Sequence, residues 1–259
     1  MALVLTRLHD DIGTIIMNNP ERRNVLSNKM VDEILHALEV LEKGKARVIV
    51  LRAYEGAKVW SSGHDVNELP VAGRDPLAFS DPLVTVLRSI QASPLPVIAM
   101  IEGGVWGGAC DLVLSCDILI GCPTASITMT PAKIGVPYNA SGILHFMGIM
   151  GVNIAKEMFF SAQSLTAERA EKLGILNHMV PADELEKFTY DLAGNIAKNS
   201  PLSIRVIKEQ IRLLANAHPL SPHTFERVQG LRRVVYDSAD YAEGINAFVG
   251  KRPPVFQGE

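Results

Sequence analysis

Residues 101–111 read Ile101-Glu102-Gly103-Gly104-Val105-Trp106-Gly107-Gly108-Ala109-Cys110-Asp111, two glycine pairs at the end of an apolar run. Pro96 to Ile101 has the composition of a strand, and the residues after Gly108 continue as a helix. Glycines at a strand-to-helix junction let the backbone approach a ligand closely. The first amides of a helix have no acceptor within the helix, and its dipole favours negative charge there. Trp60-Ser61-Ser62-Gly63-His64-Asp65-Val66-Asn67-Glu68-Leu69 has the same loop character. Taken singly, each stretch reads equally as a tight turn under close helix–sheet packing. Glycines 103, 104, 107 and 108 do not make the GxGxxG pattern of a dinucleotide site, and no GxSxG nucleophile elbow occurs.

Outward from these stretches, the first half alternates strands and helices. Ile12 to Met17 is a strand ending in the turn Asn18-Asn19-Pro20. Val31, Ile34, Leu35, Leu38 and Leu41 repeat at helical spacing, and Val48-Ile49-Val50-Leu51 suits a strand buried on both faces. Leu83 to Ile90 predicts a helix, and Pro96–Ile101 and Cys116–Gly121 predict strands. This rhythm implies a mainly parallel sheet covered by helices. After about Tyr138 helical patterns follow one another: Ile154–Phe160, Ala167–Leu173, Ala182–Lys198, Leu202–Ala215 and Ser238–Val249.

The 259 residues carry a formal net charge of −3 and no basic run beyond Glu21-Arg22-Arg23, the wrong electrostatics for nucleic acid. Cys110, Cys116 and Cys122 are odd in number and form no CxxC pair, which predicts buried thiols rather than disulfides or a zinc site. No apolar run is expected to span a membrane, and the start resembles neither a signal nor a transit peptide. A cytoplasmic location is the expectation.

Together, several segments resemble the crotonase superfamily, the enoyl-CoA hydratase/isomerase family. They are Asn19-Pro20 with Asn24-Val25-Leu26-Ser27, then Ser61-Ser62-Gly63-His64-Asp65, Gly107-Gly108 and Gly135-Val136-Pro137. Leu165-Thr166-Ala167-Glu168-Arg169-Ala170 and Gly174-Ile175-Leu176-Asn177 extend the likeness over nearly the whole chain. The resemblance implies an α/β fold with a ββα spiral core over residues 1–200. Residues 201–259 would be a helical C-terminal region serving oligomerisation and part of the coenzyme A site. It further implies that the backbone amides of His64 and Gly108 form an oxyanion hole for a thioester carbonyl. Arg23, Val25 and Leu26 would line the CoA channel, with Ser62 and Asp65 near the adenine and Lys251 a phosphate contact. A homotrimer or a dimer of trimers would follow, with no cofactor beyond the CoA of the substrate and no metal.

Hydratases of this family resemble one another in two glutamates, and here those positions hold Asp111 and Pro131. Proline moves no proton, so a two-carboxylate hydration lacks one member. Met129-Thr130-Pro131 and Val136-Pro137-Tyr138-Asn139 instead resemble the members that decarboxylate methylmalonyl-CoA to propionyl-CoA. That likeness makes His64, Gly108 and Tyr138 the catalytic set, with the Tyr138 hydroxyl orienting the substrate carboxylate or carbonyl. Another acyl-CoA lyase, isomerase or thioesterase, or a non-catalytic CoA-binding protein, remains open. Asp111 reads as a helix first-turn carboxylate and Glu68 and Glu102 as structural groups, while Trp60 and Trp106 are expected to pack around the site.

Overall fold

The computed structural model describes residues 2–70, 73–215 and 221–257. Its elements begin with β1 (Val4–His9), β2 (Ile12–Met17), α1 (Asn28–Lys43), β3 (Val48–Ala53) and β4 (Val59–Ser61). Next come α2 (Pro82–Ala92), β5 (Val97–Ile101), β6 (Gly104–Trp106), α3 (Gly108–Leu114), β7 (Ile118–Gly121) and β8 (Ser126–Thr128). The second half holds α4 (Ala140–Ser161), β9 (Leu165–Thr166), α5 (Ala167–Lys172), β10 (His178–Met179) and α6 (Leu185–Ala197). It closes with α7 (Pro201–Ala215), α8 (Pro222–Tyr236) and α9 (Ala239–Val249).

Two sheets run side by side, ordered β1-β2-β3-β5-β7-β10 and β4-β6-β8-β9. Only β1 and β9 pair antiparallel to their neighbours. Three passes of the chain, β3–β4–α2, β5–β6–α3 and β7–β8–α4, each place one strand in each sheet and then a helix. That is the ββα spiral.

The apolar runs are buried on both faces for a reason visible in the packing. Ile49, Leu51, Val97, Ala99 and Ile101 join the core that Ile34, Leu38 and Leu41 of α1 enter. The alternate residues Val48, Val50, Ile98 and Met100 pack with Leu185, Ala193 and Ala197 of α6. Trp60 is fully buried, and its indole donates 2.8 Å to the Met100 carbonyl, tying the small sheet to the large one. All three cysteines are free and buried.

The structure departs from the sequence expectations in four places. Val4–His9 is an edge strand, turned back onto β2 by Asp10 and Asp11 in left-handed conformations. Three-residue strands β4, β6 and β8 lie in stretches whose glycines and short apolar runs mask any alternation. Residues 222–236 are helical although their periodicity gives no clear signal. Finally, α4 is long and apolar enough, by length and composition, to cross a membrane. It is broken at Gly151 (φ 76°), and Phe146, Met150, Ala155 and Met158 pack it into the core, so its apolar length serves the interior on one side.

Candidate active site

Segments 61–65 and 106–108 meet back to back. Gly63 (φ 87°) has no room for a side chain: a Cβ there would collide with the Trp106 carbonyl and sit 3.1 Å from the Gly108 nitrogen. Gly107 (φ 53°) turns the chain from β6 into α3. Most of the neighbouring amides are spent. Ser62 N–H donates to the Arg23 carbonyl, Gly63 N–H to Ser61 Oγ, and Asp65 N–H to the Leu26 carbonyl. Gly107 and Cys110 donate to the Thr128 and Gly107 carbonyls. The amides of His64 and Gly108 donate to no acceptor among the described residues. A Cβ on Gly108 would stand 3.5 Å from the His64 nitrogen, so the two amides share one small space. Such a pair at a helix N-terminus can hold developing negative charge on a carbonyl oxygen.

The His64 ring points away from this duty. Its Nδ1 lies 3.1 Å from the Asp65 carbonyl and its Nε2 3.6 Å from Asp81 Oδ2, while Asp81 Oδ1 caps α2 by accepting from Leu83 N–H at 2.9 Å. Burial alone would lower the imidazole pKa. The hydrogen bond and charge of Asp81, the Asp65 carbonyl and Glu68 outweigh burial and raise it.

One turn into α3, the Asp111 carboxylate is buried and holds two partners. The Tyr138 hydroxyl donates to its Oδ2 at 2.9 Å, and His145 Nδ1 lies 2.8 Å from its Oδ1. Burial, followed by the Asp111 charge and hydrogen bond, lifts the Tyr138 phenol far above its ordinary range, so it stays protonated. Asp111 is the first-turn carboxylate of α3 that its position predicts, and it is also the buried centre of a cluster with Tyr138 and the partly exposed His145. Pro131 is buried in the turn Pro131–Ile134, just ahead of Tyr138.

The loop Arg23–Leu26 is laced to this region, with Leu26 N–H on the Gly63 carbonyl at 2.8 Å and Ser62 N–H on the Arg23 carbonyl at 2.9 Å. Val25 and Leu26 are buried, and Arg23 is exposed in a left-handed conformation. Asp65 accepts from Arg22 Nη2 at 2.7 Å and from Asn67. Burial would raise its pKa, but the Asn67 and Arg22 contacts prevail and lower it. Lys251 follows α9 at the surface. Glu68 accepts from Asn28 N–H at the start of α1, and Glu102 from Gly56 N–H. Among the described residues no three His, Cys, Asp or Glu side chains gather as metal ligands would.

The profile of the enoyl-CoA hydratase/isomerase family matches residues 7–259. This chain belongs to that family. It is 47% identical over 247 residues to the methylmalonyl-CoA decarboxylase of Escherichia coli K12, covering 95% of each chain. Two solved structures of methylmalonyl-CoA decarboxylase superpose with a TM-score of 0.97 at 46% identity. One, in complex with 2-nitronate-propionyl-CoA, is covered over 99% of both chains. The other, complexed with 2S-carboxypropyl CoA, is covered over 99% of its length by the whole of this chain.

Within this crotonase-family frame, sequence reasoning missed Asp81 and His145. Asp81-Pro82 is a helix-start signal, and it marks the cap. His145 stands in Ile143-Leu144-His145-Phe146-Met147, where a lone histidine on an apolar helix gives no sign of a partner.

Proposed function

We propose that the chain decarboxylates methylmalonyl-CoA to propionyl-CoA and carbon dioxide through an enolate held by the His64 and Gly108 amides. The observation that carries this is the engagement of both carboxylates near the amide pair. Asp111 is held by Tyr138 and His145, Asp81 caps α2 and faces His64, and Pro131 stands where hydration would need a second acid. Hydration requires a base on water and an acid on carbon. Decarboxylation requires neither at the bond-breaking step. The C–C bond electrons flow into the thioester as carbon dioxide leaves, the oxygen gathers the charge, two preorganised amides stabilise it, and a proton from water then adds to the enolate carbon to give propionyl-CoA. The likeness to the Escherichia coli decarboxylase supports the same substrate.

On this reading the enzyme works with no cofactor beyond the CoA of its substrate, and in the cytoplasm. On the same reading Arg23, Val25 and Leu26 line the CoA, with Ser62 and Asp65 near its adenine and Lys251 at a phosphate; the lacing of the two loops supports the first five acting together. A homotrimer or dimer of trimers is supported by α7, none of whose residues is buried although Val206, Ile207 and Ile211 face outward.

The test is a coupled assay for propionyl-CoA from methylmalonyl-CoA, with crotonyl-CoA hydration and acyl-CoA hydrolysis measured in parallel. Propionyl-CoA without hydration is the expected result. Hydration or hydrolysis without decarboxylation would assign a different acyl-CoA reaction, and acyl-CoA binding without turnover a non-catalytic role.

A further inference from the structure

The 2.8 Å contact between Asp111 Oδ1 and His145 Nδ1 is a hydrogen bond whose donor follows the imidazole tautomer, and the Nδ1–H tautomer makes the carboxylate the acceptor. Both oxygens of Asp111 then have a donor, His145 on one and Tyr138 on the other. The phenol ring is itself boxed in, with centroids 6.1 Å from Phe146 and 5.2 Å from Phe159, and these two are 5.1 Å from each other. These ring contacts pack the phenol on two sides, and Asp111 accepts its O–H. Asp111 stands in the first turn of α3, three residues after Gly108. His145 reaches it from α4 and is half-sheltered, with its side chain 22% exposed.

We propose that His145 is a positioning residue of the reaction: by holding one oxygen of Asp111 it aims the other at Tyr138, and so fixes the hydroxyl beside the oxyanion amides. The consequence is specific. With its proton committed to Asp111, Tyr138 has no hydrogen to give a substrate carboxylate or carbonyl, so the orienting role expected of it is exerted by the place of its oxygen and not by donation. Losing His145 lets the carboxylate rotate and the hydroxyl with it. A reacting group misplaced by about an ångström costs up to ~10²-fold in rate while ground-state binding through the CoA is untouched.

This rests on the decarboxylase reading above, and the experiment separates the two. In His145→Leu, kcat for propionyl-CoA formation is expected to fall about tenfold with KM within about twofold. His145→Asn, whose amide can donate from nearly the Nδ1 position, should restore most of the rate. In a Tyr138→Phe background, His145→Leu should change kcat less than about twofold, because the group it positions is gone. An undiminished effect in that background, or a KM change without a kcat change, would overturn the proposal. Should His145→Leu fold poorly, Asp111→Asn must show the same kcat loss and the same silence in Tyr138→Phe, or the proposal fails. Independently of turnover, proton NMR should show a slowly exchanging, downfield His145 Nδ1–H that Asp111→Asn abolishes. Its presence in an enzyme that does not decarboxylate would overturn the function and leave the His145–Asp111 contact standing. Its absence would overturn the positioning itself.

Discussion

Helices α3 and α7 are opposites in burial. Every residue of α3, from Gly108 to Leu114, is buried, while α7, twice as long, buries none. Yet α7 is no less apolar: Leu202, Val206, Ile207, Ile211, Leu213 and Leu214 all face outward. The first helix is completed by its own chain. Leu83 packs on Gly108, Cys110 donates to the Val105 and Thr128 carbonyls, and Asp111 has its two donors. The second is attached mainly through Lys208, whose Nζ reaches the Leu95 carbonyl at 2.9 Å and Asp117 at 2.7 Å. The Gly108 amide, one of the two proposed to hold the oxyanion, opens the helix with no slack. The helix with an unsatisfied face is where another surface would dock.

If that contrast is right, the largest effect comes from disturbing α3 at its first residue. Gly108→Ala places a methyl 2.6 Å from Leu83 Cδ2 and 3.5 Å from the His64 nitrogen, within the space shared by the two amides. The leucine end can move, so the fold should survive; the amide stays, but the methyl obstructs the space a carbonyl oxygen would enter, and kcat should drop about 10²-fold, comparable to losing the use of one oxyanion donor. A well-folded variant with near-normal kcat would show that the space between the two amides is not where the reacting carbonyl sits.

Next is the tether of α7. Lys208→Met deletes the donor to Ile90 and Leu95 carbonyls and leaves the Asp117 carboxylate, 29% exposed, without its cation. A loss of roughly 1–3 kcal/mol in chemical denaturation is expected. Turnover per folded enzyme should hardly change. A drop in kcat as large as that of Gly108→Ala would mean that α7 takes part in the site, and the contrast would collapse. A smaller effect should follow Ile211→Ala on the outward face. It leaves the isolated chain as stable as before but removes apolar area from a subunit contact, weakening assembly about tenfold in sedimentation equilibrium. An unchanged association constant would show that this face is not the contact.

The contrast also explains what the sequence made legible. Val48–Leu51 and Pro96–Ile101 announce themselves because strands buried on both faces need unbroken apolar runs. The glycine stretches were legible as places of close backbone approach, which Gly63 bears out, while the oxyanion role of the His64 and Gly108 amides came only with the family resemblance. Short strands such as Gly104–Trp106 were not, because three residues are too few to show a period. Nor was the use of Asp111. Its partner Tyr138 is 27 residues away and His145 34, and a carboxylate's burial is decided by which helices close over it, not by its neighbours in the chain. The outward leucines of α7 look from sequence like any amphipathic face, and only the fold shows that they stay exposed among the described residues.

The smallest effect expected is electrostatic and lies beside α3. The His64 imidazole gives up solvation on burial, yet Asp81, the Asp65 carbonyl and Glu68 together favour its charged form, so the folded protein binds this proton more tightly than the unfolded chain. A group whose folded pKa is raised contributes stability that is complete below its unfolded pKa, near 6.5, and is lost as pH rises through the folded value. Wild type should therefore lose stability relative to His64→Gln as pH climbs from about 6.5 toward the folded pKa, and the gap should be constant below that window. The Gln variant adds no group to the space the two amides share, so its kcat should remain far above that of Gly108→Ala. Denaturation midpoints of the two proteins across this range decide the point. If their difference is flat with pH, Asp81 serves only to cap α2, and the imidazole adds nothing to the backbone it hangs from.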